Sequence, residues 1–331
     1  MDAGTELTKL AESGDRDAQL SLARDLLSAK SARQADLFKA ITLIESASAA
    51  GNGEATTMVA LFEAMGVSRP QSWDRAFDAL RLAGEQGSEA ARRQLLLLSA
   101  SDDSPEAVDP ERDFWIKKRE AVSIERLLAH PQRQSLFNGP RIRVIEGFAS
   151  PAECRWLIHR AKGMLKSALV FDLSGQQVLD PGRTNKGMDF QLTDMDVVIE
   201  VIRARIAAAT HIPVPVFEPV QVLHYSVGQE FKRHHDFLEP GNPHHQEQLQ
   251  SHGQRIATFV IYLNEDFEGG ETEFSQIGLR YRGKTGDAIF WANCDMQGRP
   301  DPLTLHAGLP PTSGEKWILS QWIRDRAPPA R

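Results

Sequence analysis

The hydrophobic pattern changes character part-way along the chain. The first hundred residues are rich in Ala and Leu, with Gly at regular places. From Arg141 onward short β-type runs take over, among them RIRVIEGF, QVLHYSV, IATFVIYLN and DAIFW, each bounded by Gly, Pro or Asn. Such bounded apolar runs predict strands. Two stretches early in this region predict helices: SPAECRWLIHRAKGML with Ser150 as N-cap before Pro151, and TDMDVVIEVIRARIAAAT with Thr193 as cap. Residues 114–135 also read as helical, with the KKRE charges on a solvated face. Many short strands after a pair of helices predict a helix-backed β-sandwich or jelly roll.

The glycines of the first region are periodic. Aligning LAESGDRDA, ESASAAGNGEA and LAGEQGSEA puts Gly14, Gly51 and Gly87 in register, 37 and 36 residues apart. Three residues before each stands a small residue, Ala11, Ser48 or Gly84. Four residues after stands Ala18, Ala55 or Ala91, and four further on Leu22, Val59 or Leu95. Small residues at fixed offsets let antiparallel helices approach closely, and the glycine is read as the turn between repeat units. Over residues 5–98 the pattern resembles the Sel-one-like branch of the tetratricopeptide repeats. The expected organisation is a helical repeat domain over 1–100, a linker and connecting helix over 101–138 (ASDDSPEAVDPERD is acidic, with two prolines), and a β-rich domain over 139–328.

Composition narrows the class without naming a chemistry. Hydrophobic residues make up 41% and charged residues 25% of 331, enough apolar material for a sizeable core. A net charge of −7 supplies no bulk attraction for phosphate, so no nucleic-acid partner is expected. Cys154 and Cys294 form no CxxC and read as reduced thiols. The first residues, MDAGTELTKLAESGDRD, lack a basic and then apolar leader, and no apolar run reaches a membrane span. The expectation is a cytoplasmic protein with no membrane association.

The chemistry gathers in HYSVGQEFKRHHDFL. Residues two apart on a strand share a side, so His234 and Asp236 face one metal together while His235 points away. Two ligands hold an ion weakly. The best third is His306, 70 residues beyond Asp236, expected on a strand across a barrel mouth. Two histidines and a carboxylate make the facial triad of non-haem Fe(II) oxygenases, with three positions left for cosubstrate and O2. Lys316, ten residues after His306, is placed to meet the far carboxylate of a metal-bound dicarboxylate, and Tyr225 and Thr272 supply hydroxyl donors. His244 and His245, in the polar segment PGNPHHQEQLQSHGQ, are read as solvated loop residues.

Taken together these residues resemble the prolyl 4-hydroxylase branch of the 2-oxoglutarate oxygenases over residues 141–325. The motifs are Tyr225-x-x-Gly228-Gln229, His234-x-Asp236, Gln254-Arg255 leading to Thr258 and Tyr262-Leu263-Asn264, Gly269-Gly270-Glu271-Thr272, Gly286-Asp287-Ala288 with Phe290, His306-x-Gly308, Gly314-x-Lys316-Trp317 and Trp322-Ile323. The resemblance implies a double-stranded β-helix (jelly roll, cupin-like) domain with supporting helices. It implies Fe(II) on His234, Asp236 and His306, and 2-oxoglutarate anchored by Tyr225, Thr272 and Lys316. It further implies O2 as oxidant, L-ascorbic acid binding as reductant, and hydroxylation of a C–H bond with succinate and CO2 as co-products. Arg255, Phe231 and Trp322 fall at substrate-side positions, and Arg255 matches the residue reaching toward the peptide. Two departures stand out: Phe231 replaces a common Tyr, and Thr304 stands where an aromatic is found in peptide-binding members.

The expected substrate is a prolyl residue in a peptide or protein, with the repeats selecting the partner. The alternatives are the same chemistry on a free amino acid, another side chain or a small metabolite, and an inactive interaction scaffold. A zinc hydrolase would explain the three ligands but not Tyr225, Thr272 and Lys316.

Overall fold

The computed structural model describes residues 3–28, 34–101, 112–168, 170–171, 177–178 and 181–327. Most of the expected acidic linker, residues 102–111, lies outside them. The chain divides into two compact units. One takes in Met1–Ala129 and Gln191–Arg203, the other His130–Phe190 and Ala204–Ala330. The expected limits at 100 and 139 therefore differ from the limits of these units, which split the helix Val197–Thr210 between them.

The first unit is built from α1 (Ala3–Glu12), α2 (Arg16–Ser28), α3 (Gln34–Ala49), α4 (Gly53–Met65), α5 (Trp73–Glu85), α6 (Glu89–Leu98), α7 (Arg112–Glu120) and α8 (Ile124–Leu128). Gly14, Gly51 and Gly87 have φ of 93°, 84° and 94°, the left-handed region that favours glycine. Each lies in the short turn between α1 and α2, α3 and α4, or α5 and α6. The most closely packed pairs are α2 with α3 and α4 with α5, so the glycines turn the chain from one such pair to the next, as expected of a turn between repeat units. The residue after each glycine caps the second helix: Asp15, Asn52 and Ser88 accept from the main-chain N–H of Ala18, Ala55 and Ala91 at 2.8, 2.9 and 3.2 Å. The caps also link one hairpin to the previous one, because Asn52 donates to Asp17 at 2.7 Å and Ser88 to Glu54 at 2.9 Å. Ala18, Ala55 and Ala91 are buried, as close helix approach requires.

The hairpin repeats once more. Ser123 caps α8 by accepting from Arg126 N–H at 3.2 Å, 35 residues after Ser88. Buried Trp115 of α7 lies against Gly84 of α5, where a Cβ would meet its ring at 3.7 Å. The helix expected over 114–135 is thus two short helices, broken before Ser123 and ended at Leu128; residues 134–138 form a strand.

The second unit contains β1 (Gln134–Asn138), β2 (Arg141–Ile145), α9 (Pro151–Lys162), β3 (Lys166–Ser167), β4 (Val170–Phe171), β5 (Gln177–Val178), β6 (Lys186–Asp189), the end of α10 (Val197–Thr210), β7 (Gln221–Tyr225), β8 (Phe231–His234), α11 (Pro243–His252), β9 (Arg255–Tyr262), β10 (Phe267–Gly269), β11 (Thr272–Phe274), β12 (Leu279–Tyr281), β13 (Ala288–Ala292), β14 (His306–Gly308), β15 (Pro311–Gly314) and β16 (Lys316–Arg324). Ser150 caps α9 in a capping box with Glu153, as its sequence predicted. Asp196, not Thr193, caps α10, accepting from Ile199 N–H at 2.8 Å. A turn over Gln191–Met195 separates Thr193 from the helix. The polar segment around His245 is α11 rather than loop; His245 Nδ1 accepts from Glu239 N–H at 2.9 Å, and the side chain of His244 lies outside the described residues.

The strands form a jelly roll. An eight-stranded antiparallel sheet has the order β1-β2-β13-β9-β16-β7-β6-β3, and a four-stranded sheet the order β12-β11-β14-β8. β9 and β16 sit centrally in the larger sheet, so both of their edges are paired, and their residues are almost continuously buried. One core cluster draws Leu223, Val260, Ile289 and Ile318 from the larger sheet and Phe274 from the smaller.

Candidate active site

A cleft in the second unit is lined by Tyr225, Phe231, His234, Asp236, Thr272, His306, Lys316 and Trp322, eight of the nine expected site residues. The ninth, Arg255, is not among its lining residues.

His234 and His306 are cross-strand partners on β8 and β14. The third ligand candidate was expected across a barrel mouth; it stands instead on the neighbouring strand of the same small sheet. β8 ends at His234, so Asp236 follows in the next bend rather than at a continued strand position. The chain there still turns His235 away: its Nε2 lies 3.2 Å from the Pro302 carbonyl and its ring stacks on Phe237.

The three ligand candidates are the one such cluster among the described residues, their ligand atoms within 4.8 Å of one another. Each imidazole Nδ1 sits on a carbonyl two residues upstream, His234 on Lys232 at 2.7 Å and His306 on Thr304 at 2.9 Å. A carbonyl only accepts, so Nδ1 carries the proton and Nε2 presents its lone pair. His234 Nε2 lies 3.6 Å from Asp236 Oδ1 and His306 Nε2 3.4 Å from Oδ2. Burial opposes ionisation of Asp236, but His306, His234 and the Thr258 hydroxyl together hold its carboxyl well below the usual range. Burial, with His234 nearby, pushes His306 down to about 4. Two neutral imidazoles and one carboxylate fit a borderline divalent ion such as Fe(II), which would sit among His234, Asp236 and His306.

Thr304, flagged as a departure on the substrate side, is fully buried. Its hydroxyl donates to Asp301 O at 2.6 Å, and its carbonyl orients His306. Its role is in holding a ligand, so its small side chain says nothing about substrate. Phe231 stacks on His234 with centroids 3.5 Å apart and planes 16° apart.

The other polar feature of the cleft is Lys316, the first residue of β16, paired across strands with Tyr225. It is 1% exposed. Its Nζ lies over the rings of Tyr225 and Tyr262, 5.0 and 5.3 Å from their centroids, and has no ion-pair or hydrogen-bond partner among the described residues. Burial pushes its pKa down to about 7. Gly270, at φ 68°, lets the chain pass beside it: a Cβ there would come within 3.3 Å of Lys316 Cδ and 2.9 Å of the Phe267 ring. The Tyr225 phenol is pushed up to about 12 by burial and stays a donor. Thr272 differs from expectation. Tyr262 donates its single proton to Tyr281 O at 2.9 Å, so the 2.8 Å contact with Thr272 uses the Thr272 proton. That hydroxyl is therefore directed at Tyr262, not into the cleft.

Arg255 donates through Nε and Nη2 to the two oxygens of Glu218, at 2.6 and 2.9 Å, and stacks over Trp322 at 3.7 Å. Glu218 also receives Arg324 Nε at 2.5 Å. The guanidinium expected to reach a peptide is thus engaged by Glu218. Sequence reasoning missed Arg183, which lines the cleft with its guanidinium 4.5 Å from the Phe231 ring. Thr258, quoted among the family motifs without a role, also lines the cleft from inside the apolar run of β9.

Residues 220–324 match the model of the 2OG-Fe(II) oxygenase superfamily. Over 204 residues the chain is 34% identical to Prolyl 4-hydroxylase 1 of Arabidopsis thaliana, spanning 57% of this chain and 70% of that one. The chain belongs to the prolyl 4-hydroxylase family of 2OG-Fe(II) oxygenases. Among solved structures, the viral collagen prolyl hydroxylase of Paramecium Bursaria Chlorella virus-1 in its 2OG complex is similar to this family member at 31% identity. That match covers 57% of this chain and 98% of the other with a TM-score of 0.43. A Sel1 repeat protein from Oxalobacter formigenes aligns at 21% identity, covering 35% of this chain and 87% of the other with a TM-score of 0.27. The oxygenase is an enzyme that depends on Fe(II) and 2-oxoglutarate, and its site has the donor set for the former. Among the described residues no helix is long and apolar enough to cross a membrane.

Proposed function

We propose that this enzyme hydroxylates a prolyl residue in a peptide or protein, using Fe(II) on His234, Asp236 and His306 and 2-oxoglutarate held by Lys316 and Tyr225. The observation that carries the cosubstrate assignment is the buried Lys316 ammonium, which has aromatic faces around it and, among the described residues, no counter-charge within ion-pair distance. A buried charge is costly until paired, and a dicarboxylate brings the missing partner. Tyr225, cross-strand from Lys316, adds a phenolic proton to the same carboxylate. The iron supplies oxidative decarboxylation of the 2-oxo acid and hydroxylation of the C–H bond. The protein holds both imidazoles in one tautomer, keeps Asp236 ionised and shields the cleft with Phe231 and Trp291. L-ascorbate would act as reductant for iron left oxidised by uncoupled turnover.

The relatives' names support prolyl as the substrate class. The helical repeats fit a protein partner, since stacked hairpins offer an extended surface for one. The test is succinate formation with and without proline-rich peptides, together with peptide mass. Peptide-stimulated succinate and a gain of one oxygen on Pro are expected. Succinate that no peptide stimulates, but that a free amino acid or small metabolite does, would overturn the prolyl assignment while keeping the chemistry.

A further inference from the structure

Asp236 has two oxygens, and the fold treats them differently. Thr258 of β9, buried at 2% exposure, donates its hydroxyl to Oδ2 at 2.6 Å. A carboxylate only accepts, so the hydroxyl proton goes to Asp236 and the Thr258 oxygen is left as acceptor. Asn293, fully buried one residue past β13, fills it: Nδ2 donates to Thr258 Oγ1 at 3.0 Å. The direction of the chain fixes the Asn293 amide, which must turn its NH2 toward Thr258. Asn293 is itself anchored through its main chain, donating to Ile256 O at 2.8 Å and accepting from Asp301 N–H at 2.9 Å. Trp291 and Thr258 are cross-strand partners, so the pairing of β13 with β9 brings the relay to the carboxylate.

We infer that Asn293 and Thr258 are positioning residues that restrict Asp236 to ligation through one oxygen. Oδ2 is occupied by a charge-assisted hydrogen bond, and Oδ1 remains for the metal. A carboxylate released from that bond is able to chelate through both oxygens and close a coordination place that a 2-oxo acid needs. Polarisation along the amide–hydroxyl–carboxylate chain strengthens each link. This inference rests on the proposed reading of the site as a 2-oxoglutarate oxygenase.

The test uses the full chain without oxygen. Co(II) affinity is measured by titration, and the visible band that 2-oxoglutarate develops with Fe(II) is recorded at saturating metal. Thr258→Val is expected to weaken Co(II) binding roughly 10–100-fold, the usual effect of removing a partner of a metal ligand, and to diminish the band. Thr258→Ser, which restores the hydroxyl, is expected to return the affinity to within roughly threefold of the parent. Asn293→Ala, which leaves the hydroxyl but removes its orienting donor, should fall between. A folded Thr258→Val with the parent's Co(II) Kd and full band would overturn the relay. Should that variant not fold, Asn293→Ala with parental Kd and band would overturn it instead. A parent that binds Co(II) but develops no band with Fe(II) and 2-oxoglutarate overturns the oxygenase reading itself, a different failure from that of the relay.

Discussion

The metal-ligand set and the Lys316 region share one cleft but differ in how complete they are. Around the ligands, each side chain is already held: His234 and His306 donate to carbonyls, and Asp236 accepts from Thr258. Around Lys316 the ammonium has no partner among the described residues and lies against two aromatic faces. The first arrangement is preorganised, so an ion meets ligands that need little reordering. The second stores an unpaired charge that a ligand relieves. The lesson is that a site advertises a charged ligand by what it leaves unsatisfied, and a metal by what it satisfies in advance.

The largest effect that tests this contrast is at the preorganised set. His306→Ala or Asp236→Ala, or removal of the metal with a chelator, should abolish 2-oxoglutarate decarboxylation, measured as succinate. Full turnover by His306→Ala would remove the triad assignment.

Lys316→Met sharpens the other side. Charge-assisted bonds contribute about 1.5–3 kcal/mol, so the 2-oxoglutarate Kd should rise roughly 10–100-fold. The same substitution should stabilise the ligand-free protein at neutral pH or below, because it removes a buried charge that has no ion-pair partner among the described residues. Thermal melts with and without 2-oxoglutarate read both effects; a destabilised apoprotein with unchanged cosubstrate affinity would break the contrast.

The pH dependence follows from the same group. Lys316 is pushed down to about 7 in the folded protein, against an ordinary value of 10.5. Between those values the unfolded chain holds the proton that the folded chain has released, so this lysine makes stability rise with pH across that window. A bound carboxylate restores the charged form. Binding of 2-oxoglutarate above pH 7 should therefore take up as much as about one proton, visible in calorimetry as a heat that depends on the buffer's ionisation enthalpy. A buffer-independent heat at pH 8 would show that Lys316 is already charged. The smallest effect is expected of His235→Ala, whose ring rests on Pro302 and Phe237 and should leave Co(II) affinity within roughly twofold.

Much of this was legible in the sequence because local rules carried it. The glycine period found the helical hairpins, and the Ser150-Pro151 signal found the start of α9. The spacing of His234 and Asp236, with His306 and Lys316 downstream, found four residues of the cleft. The misses have local causes too. Thr193 is a good cap residue, but Asp196 competes from a position closer to the helix. Residues 114–135 carry helical composition, yet the cap at Ser123 restarts the helix and ends it early. Thr304 stands at a family position for an aromatic, but its side chain is buried against Asp301 and its carbonyl holds His306.

What the sequence determined by itself is therefore the set of chemical parts: the repeat period, the strand-rich region, two imidazoles, a carboxylate, and a lysine with hydroxyls at family spacing. Tertiary structure decided how each part is used. Pairing of β14 with β8 put His306 beside His234, and pairing of β16 with β7 put Lys316 beside Tyr225. Glu218 engaged Arg255, and the Tyr262 hydroxyl turned Thr272 aside. Hydrogen bonds and burial between residues far apart in the chain set charge state, tautomer and proton direction. No local sequence pattern encodes those, because they depend on which strands become neighbours.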